Sequence, residues 1–537
     1  MTQHLQLNKK GSLIFGSILN VLSAIGVVGF SYYLSILINA IQRGNGEDLR
    51  NSTFQCVFIL ALTSLLGLSA TYWTGRYTLG IFYDMRSCLL RAALKMDLIH
   101  FNDKGAHRYI NACLNDIKQV NEQYYERVPD LVYQLSLLVA ALLAMVYISW
   151  TLLLTYLFIF LIPIILPQLL SRKLEKQQNI LSQQNDISAQ KINEYFNGQN
   201  TIVQFQAGIF FQEAFDLINK LNKKSHFKLY FLTHITEELG NVTGSISQLL
   251  CFFIGGLFIL NGKIAIGELI ASIQLLNYIF SPISRIGGLL SGIRSTKSLR
   301  KQLKELTTYP TVCGADIHSD EYPMISLEAV SLSYDSKTII DNVQMDFHSP
   351  DKYLLLGESG AGKSSLLDLL DRKIEPTKGN LFLNGQNLKD ISQKDLYRII
   401  QKVDQNPYLF DISIRENITL GRPYDKKHFY DITEKCNLTK LVQERGQESI
   451  GKFASEISGG ERQRIGIARA LYSNADIYLF DEPIAALDKD NAEQILNLIL
   501  GLENKMVIVV SHQVPETVIS RFDRVMRLES ASIVMLT

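Results

Sequence analysis

The stretch that decides the fold is Tyr353–Ser364, YLLLGESGAGKS. An apolar run typical of a buried strand leads directly into a glycine-rich loop, and a helix is expected to follow it. The loop has the spacing G-x-x-x-x-G-K-S, in which glycines let backbone N–H groups approach a phosphate and the next helix contributes its positive end. The sequence therefore predicts a nucleotide-binding loop between a strand and a helix.

The loop also predicts which atoms hold the nucleotide. The Lys363 ammonium is suited to bind the β- and γ-phosphates, and the Ser364 hydroxyl is a predicted Mg²⁺ ligand. The predicted contacts in this segment are Gly357, Glu358, Ser359, Gly360, Ala361, Gly362, Lys363, Ser364 and Ser365.

A second apolar strand, Ile477–Phe480, ends in Asp481 and Glu482. Two carboxylates at the tip of a buried strand suit metal chemistry beside a phosphate loop. We expect Asp481 to orient the Mg²⁺ shell and Glu482 to polarise the attacking water.

A further anion-binding pattern lies between these segments, at Ile457–Arg464, ISGGERQR. Ser458, Gly459 and Gly460 open a helical run, so exposed N–H groups and a hydroxyl can bind an anion without a second lysine. One chain thus carries two half-sites for phosphate. This arrangement predicts that two copies close head to tail around two nucleotides.

The two parts of the chain differ in charge. Of the 537 residues, the first 320 hold 27 basic and 20 acidic side chains, and the last 217 hold 26 and 32. Such an asymmetry is expected when an apolar membrane domain precedes a soluble one. It excludes a single soluble domain, and the near-neutral balance provides no electrostatic footprint for nucleic acid. The six cysteines are scattered, which predicts free thiols rather than disulfides or a zinc site.

Six apolar stretches before residue 310 are candidate membrane spans, since a spanning helix needs about 20 such residues. They are Leu13–Ile41, Phe54 to about Tyr77, Leu131–Ser149, Thr151–Leu170, Gly240–Leu260 and Ile266 to about Ile286. The connections around Trp150 and at Asn261–Lys263 are short. The others are long and keep helical periodicity, so we expect membrane helices that continue well into the cytoplasm.

The long connections carry 15 Lys and Arg residues, against Arg43, Arg50 and Lys263 in the short ones. Positively charged loops tend to stay on the cytoplasmic side. This bias predicts a multi-pass protein of the cell membrane, with both termini and the nucleotide-binding domain in the cytoplasm.

The order of these motifs resembles that of the ATP-binding cassette (ABC) ATPases, and with six preceding spans the chain is similar to an ABC exporter half-transporter. The resemblance implies a membrane all-α six-helix exporter domain followed by an α/β P-loop ATPase domain. It also implies ATP and Mg²⁺ as cofactors and ATP hydrolysis coupled to transport. The expected boundaries are 1–310 for the membrane domain, 311–323 for the linker and 324–537 for the nucleotide-binding domain.

The resemblance assigns roles to further residues. Tyr334 matches the aromatic residue that stacks on adenine, Gln405 the glutamine that contacts Mg²⁺, and His512 the histidine that contacts the γ-phosphate. The implied catalytic pair is therefore Glu482 and His512. The implied metal ligands are Ser364, Gln405 and Asp481, and the second half-site comprises Ser458, Gly459, Gly460 and Glu461.

Other segments resemble the family less closely. His100–Gly105 and Gly198–Gln212 fall where exporters place two short helices that touch the ATPases, and Ala485–Asp488 resembles the loop between paired ATPases. Four positions depart from the family pattern: Ile457, Glu461, Ile484 and Ala485. Since every residue expected to contact phosphate is present, we expect these departures to affect regulation or rate.

We expect a homodimer that exports a peptide, a lipid or a small amphipathic molecule by alternating access. Its partners would be membrane lipid and the exported substrate, without nucleic acid. Two alternatives stay open. The chain is one subunit of a heterodimeric exporter, or it is a non-transport ABC ATPase acting on DNA, against which the six spans argue.

The expected substrate contacts lie at the cytoplasmic end of the bundle and are Arg76, Glu237, Glu238 and Arg285. At about 1.5 Å per residue from the outer span ends, all four lie about 28 to 35 Å inward. Neighbouring aromatic residues, including Trp73, suit an amphipathic cargo. The alternative interpretation is interfacial anchoring, or pairing of Arg with Glu between helices.

Overall fold

A computed structural model of the chain describes residues 10–308, 322–334, 337–358, 360–452, 456–485, 489–512 and 514–536. The chain divides into two compact units. One comprises residues up to 90 and 111–305, and the other comprises 91–110 and the chain from 306 onward. The expected fold class, an all-α membrane part followed by an α/β part, is confirmed. Residues 311–321 of the expected linker lie outside the described residues.

The part of the chain before residue 308 is helical. Its α-helices are α1 (Lys10–Arg43), α2 (Gly46–Lys95), α3 (Leu98–Lys104), α4 (Ala106–Asn111), α5 (Ile117–Val120), α6 (Arg127–Ile159), α7 (Leu161–Asn197), α8 (Gln199–Gln204), α9 (Gly208–Leu260) and α10 (Ile266–Thr307). Two π-helical turns, Ala112–Asp116 and Asn121–Tyr125, flank α5.

Among the described residues, five helical stretches are long and apolar enough to cross a membrane. They are Lys10–Arg43, Gly46–Lys95, Ala106–Pro163, Gly208–Leu260 and Ile266–Thr307. The third stretch contains the third predicted span and the start of the fourth, and extended backbone at Ser149 interrupts it where the sequence predicts a connection. At 1.5 Å per residue the 50-residue α2 is about 75 Å long, so it continues far beyond the bilayer.

Large apolar side chains and close backbone contacts hold the first unit together. Its buried cluster includes Met145, Leu152, Tyr156, Leu275 and Ile279. The Tyr156 hydroxyl donates a hydrogen bond to the Cys251 carbonyl at 3.1 Å. The Gly267 N–H donates to the Asn39 side-chain oxygen at 2.9 Å, and a Cβ at Gly267 would lie 2.2 Å from the Ser35 carbonyl oxygen. Glycine therefore permits the close approach of α10 to α1.

The second unit contains two sheets with covering helices. Its strands are β1 (Met324–Tyr334), β2 (Lys337–His348), β3 (Lys352–Leu356), β4 (Lys378–Leu383), β5 (Gln386–Asn387), β6 (Ile400–Val403), β7 (Ile477–Asp481), β8 (Met506–Val510), β9 (Arg524–Glu529) and β10 (Ser532–Met535). Its α-helices, besides α3 and α4, are α11 (Lys363–Leu370), α12 (Gln393–Ile399), α13 (Ile414–Thr419), α14 (Lys426–Lys435), α15 (Thr439–Arg445), α16 (Gly459–Tyr472), α17 (Lys489–Leu500) and α18 (Glu516–Ile519).

Strand order places the carboxyl ends of four strands side by side. The larger sheet has the order β10-β9-β3-β8-β7-β6, with β9, β3, β8, β7 and β6 parallel, and the smaller antiparallel sheet has the order β2-β1-β4-β5. Every residue of β7 and β8 is buried, which explains their continuous apolar sequences. Residues that follow β3, β8, β7 and β6 are therefore gathered along one edge.

Candidate functional site

The carboxyl edge of the parallel sheet brings together the residues that the sequence singled out. The phosphate loop follows β3, Gln405 follows β6, Asp481 and Glu482 end β7, and His512 follows β8. In open α/β sheets this edge is where ligands bind.

The phosphate loop holds its lysine inside. The Lys363 side chain, 6% exposed, donates hydrogen bonds to the carbonyls of Gly357 and Glu358, both at 2.8 Å. Positive φ angles of 80° at Gly360 and 102° at Gly362 turn the chain into α11. Of the other predicted contacts, Ala361 and Ser365 are half-buried, and Ser359 lies outside the described residues.

We predict that Gly362→Ala weakens nucleotide binding at least about tenfold. Alanine is strained at φ 102°, and its Cβ would lie 2.3 Å from Cγ2 of Ile339, so the loop must distort by about 1–3 kcal/mol. Titration with a fluorescent ATP analogue measures the affinity. Gly385→Ala is the control, because Gly385 also has a positive φ, 77°, but open space around it. Wild-type affinity in the Gly362 variant would contradict this account.

Asp481 contacts the end of the phosphate loop through a hydrogen bond. The Ser364 hydroxyl donates to its Oδ1 atom at 3.0 Å. Burial of the carboxyl raises the pKa of Asp481 above its ordinary value, and the bond from Ser364 acts in the opposite direction. A bound divalent cation would favour the charged carboxylate. The pair therefore provides oxygen donors at the end of the loop.

Glu482 occupies an uncommon backbone conformation beside this pair. Its φ is 48°, in the left-handed region that few residues other than glycine adopt, and its N–H donates to the Val510 carbonyl at 2.9 Å. The Gln405 amide donates to its Oε2 atom at 2.8 Å, and Nδ1 of His512 lies 3.2 Å from its Oε1 atom. The carboxylate is thus held between two side chains from neighbouring strand ends.

Tyr334 lies at the far end of β1, where its side chain is exposed. It pairs across the hairpin with Lys337, two residues before Ile339, whose side chain borders Gly362. The β1–β2 hairpin therefore ends beside the phosphate loop.

In the second half-site, hydrogen bonds join Ser458 and Glu461 to each other. The side chain and N–H of Ser458 donate to Oε2 of Glu461 at 2.8 and 2.9 Å, and the Glu461 N–H donates to the Ser458 hydroxyl at 3.2 Å. This capping box starts α16 at Gly459, with Gly460 buried behind it. Among the described residues, no hydrogen bond joins it to the phosphate loop, and Ala486–Asp488 lie outside those residues.

One residue that the sequence did not single out connects α16 to α13 and to the segment before it. Arg469 on α16 donates to the carbonyls of Asn417 at 2.8 Å and Tyr408 at 2.9 Å. Nearby, a Cβ at Gly466 would lie 2.4 Å from Pro407, so α16 packs closely on the loop that follows Gln405. An arginine within a helix gives no sequence signal for such a contact.

The structure leaves all four predicted substrate residues exposed. The Arg76 guanidinium lies 5.9 Å from the Trp73 ring centre, and Glu237 pairs with His234 on its own helix at 3.0 Å. Over the described part of the chain, no ion pair joins Arg76 or Arg285 to Glu237 or Glu238.

Comparisons with known proteins agree with this architecture. The model of the ABC transporter transmembrane region matches residues 13–283, and the ABC transporter model matches residues 340–485. An uncharacterized ABC transporter ATP-binding protein of Bacillus subtilis is 25% identical, over 90% of this chain and 86% of its own length. An ATP-dependent lipid A-core flippase of Psychrobacter cryohalolentis is 25% identical, over 97% and 88%. A lactococcin-G-processing and transport protein of Lactococcus lactis is 30% identical over 54% of this chain, and the match spans 43% of that relative.

Proposed function

Because this chain belongs to the ABC transporter family, as a half-transporter of the exporter type, we propose that it exports a peptide, a lipid or a small amphipathic molecule by alternating access in a homodimer. The ATPase domain of the family implies ATP hydrolysis coupled to transport, and the apolar helices identify a multi-pass membrane protein. The observation that carries the proposal is the Glu482 carboxylate, which Gln405 and His512 hold at the carboxyl edge of the sheet, next in sequence to Asp481.

Glu482 is the proposed group that polarises the attacking water. The Gln405 amide and His512 contact its two oxygens, so these two side chains orient the carboxylate. For Nδ1 of His512 to donate to Glu482, the proton must lie on Nδ1, and Nε2 is then the ring atom that faces other partners. His512 is proposed to contact the γ-phosphate.

Mg²⁺ fits the donor set beside the loop. The Ser364 hydroxyl and the Asp481 carboxylate lie 3.0 Å apart. The Gln405 amide, whose N–H₂ group donates to Glu482, also has a carbonyl oxygen. All three groups offer oxygen ligands of the kind Mg²⁺ prefers. When bound, the ion would neutralise charge on the phosphate oxygens. Lys363 and the glycine N–H groups are proposed to bind the phosphates, and Tyr334 to stack on adenine.

A homodimer would complete each ATP site. Ser458 caps a helix whose N–H groups can bind an anion, yet it makes no hydrogen bond to the loop of its own chain among the described residues. The second copy would therefore supply this half-site. We propose that both termini and the ATPase domain are cytoplasmic, on the support of the basic residues in the long connections.

We predict that Arg76→Gln and Glu238→Gln abolish stimulation of the ATPase by a transported ligand and leave its basal rate unchanged. Both charges lie near the predicted inner boundary of the hydrocarbon layer, where a polar head group can pair with them. Basal and stimulated ATPase are measured in nanodiscs with a panel of hydrophobic peptides, lipids and amphipathic cations. Lys263→Gln, in a short connection, is the control. Unchanged stimulation together with lower thermal stability would show that the charges are structural.

A further inference from the structure

A lysine inside the ATPase unit lies close to the proposed ATP site. Lys402 belongs to β6, three residues before Gln405, and its side chain is 7% exposed. Burial acts to lower the pKa of Lys402, but the neighbouring carboxylates, chiefly that of Asp371, outweigh burial and raise the pKa. The ammonium group therefore stays charged at a place where a charge needs partners.

The two ion-pair partners of Lys402 lie on different elements. Its Nζ atom pairs with Oδ1 of Asp368, which lies on α11. It also pairs with Oδ1 of Asp404, the residue that follows β6, at 3.2 Å. Asp368 comes five residues after Lys363, about 7.5 Å along α11. Lys402 thus connects the helix of the phosphate loop to the segment that carries Gln405.

The segment between β6 and α13, residues 404–413, is held near both of its ends. Near α13, the Asn417 side chain exchanges two hydrogen bonds with the backbone of Phe410, each at 2.9 Å. Near β6, the Lys402–Asp404 pair provides the corresponding contact. Gln405 lies between these two anchors, so Lys402 contributes to where the Gln405 side chain lies.

The position of Gln405 matters twice in the proposed site. Its N–H₂ group donates to Oε2 of Glu482 at 2.8 Å, and its carbonyl oxygen is a proposed Mg²⁺ ligand. Replacing a residue that holds a metal ligand in place typically lowers metal affinity or activity about 10- to 100-fold. A displaced Gln405 would therefore affect both the carboxylate and the metal.

We propose that Lys402 is a positioning residue for ATP hydrolysis, which holds Gln405 at the ATP site by joining Asp404 to Asp368 of the phosphate-loop helix. The inference rests on the proposed function, because it requires that the site hydrolyses MgATP. In a purely structural role, Lys402 would only compensate the charge of buried carboxylates such as Asp371, whose side chain is 6% exposed.

Asp404→Asn separates positioning from structural support. The Asp404 side chain is 57% exposed, and Lys402 keeps its partner Asp368 in this variant, so the fold should be as stable as the wild type. An exposed ion pair is weak, and about fivefold is the largest effect expected from its loss. Lys402→Met removes both contacts, but Asp368 still has Lys373 at 3.5 Å.

The kinetics are measured by phosphate release from the full chain in nanodiscs, over a series of Mg²⁺ concentrations. Lys402→Met should lower kcat and raise the half-saturating Mg²⁺ concentration, each at least about tenfold. Asp404→Asn should change both quantities in the same direction by about three- to fivefold. Lys402→Arg should recover part of kcat, since a guanidinium can pair with two carboxylates.

Two further measurements do not depend on turnover. Without Mg²⁺, both variants should bind a fluorescent ATP analogue within about twofold of wild type, because the phosphate loop is intact. Backbone N–H groups of residues 404–407 should exchange hydrogen about three- to fivefold faster in Asp404→Asn, and at least as fast in Lys402→Met. The double variant should exchange like Lys402→Met alone, since both changes act through one contact.

Lys505→Met is the matched control. Lys505 pairs with Asp476 at 2.9 Å, and these two residues precede β8 and β7, at the amino end of the parallel strands. Its loss removes an ion pair of the same unit at the edge away from Gln405. We expect wild-type kcat, Mg²⁺ requirement and exchange of residues 404–407 in this variant.

Wild-type kcat, Mg²⁺ requirement and exchange in Lys402→Met would overturn the proposal. So would a kcat that falls together with thermal stability in Lys402→Met while Asp404→Asn behaves as wild type, because Lys402 would then have only a structural role. Failure of the proposed function is distinguishable from both outcomes, because the wild type itself would then show no Mg²⁺-dependent hydrolysis.

Discussion

The Glu482→Gln chain is expected to bind MgATP with wild-type affinity and to hydrolyse it about 10²- to 10⁴-fold more slowly, the usual effect of losing a general base. The amide keeps the size of the side chain and can still accept the bond from Gln405 at Oε. It cannot take a proton from water. The positive φ of 48° at Glu482 is a property of the backbone, so the substitution leaves the strand end in place.

ATP turnover is measured by phosphate release and binding by titration with a fluorescent analogue, both on the full chain in nanodiscs. Glu529→Gln is the matched control, since that carboxylate is exposed at the end of β9 and pairs with Arg527 at 3.3 Å. Retention of more than about a tenth of wild-type turnover would remove Glu482 from the catalytic role.

Much of the ATPase unit could be predicted because its motifs consist of residues that are close together in sequence. The spacing of the phosphate loop requires a strand before it and a helix after it, and β3 and α11 occupy those places. The pair Asp481 and Glu482 follows an apolar run with no polar position, which is typical of a strand buried on both faces. Since parallel strands end at one edge, their proximity to Ser364 follows from strand order. The roles of these residues stay predictions.

What could not be predicted depends on contacts between distant segments. The Lys402–Asp368 pair joins residues 34 positions apart on different elements, and no spacing rule connects them. The left-handed backbone of Glu482 could not be predicted either, because a glycine, the usual sequence signal for this conformation, is absent from that position. The four residues are predicted as substrate contacts because they lie at one depth in the membrane. Depth does not determine which way a side chain points around its helix. In the structure each of the four is exposed.

The shared ATP site predicts a rescue between two inactive chains. Lys363→Ala removes the ammonium that the phosphate loop encloses, and Ser458→Arg blocks the helix N-terminus of the second half-site. In a homodimer of either variant, each site carries one lesion, so both parents should be almost inactive. In a mixed dimer both lesions fall in one site, and the other is intact.

Equal amounts of the two chains should therefore recover about a quarter of wild-type ATPase, since half of the dimers formed at random are mixed and each has one working site of two. The chains carry different affinity tags, so sequential purification isolates mixed dimers, which should then reach about half of the wild-type rate. Mixing Lys363→Ala with Glu482→Gln is the control, because both lesions fall in the half-site that a single chain supplies, and every mixed dimer keeps one lesion in each site. Rescue in the first mixture and none in the control requires that Ser458 and Lys363 of one site come from different chains.

A cross-link between cysteines placed at Ser458 and in the phosphate loop separates the remaining explanations of a failed rescue. A cross-link between chains shows a shared site in which both copies must work. A cross-link within one chain contradicts the homodimer proposed here.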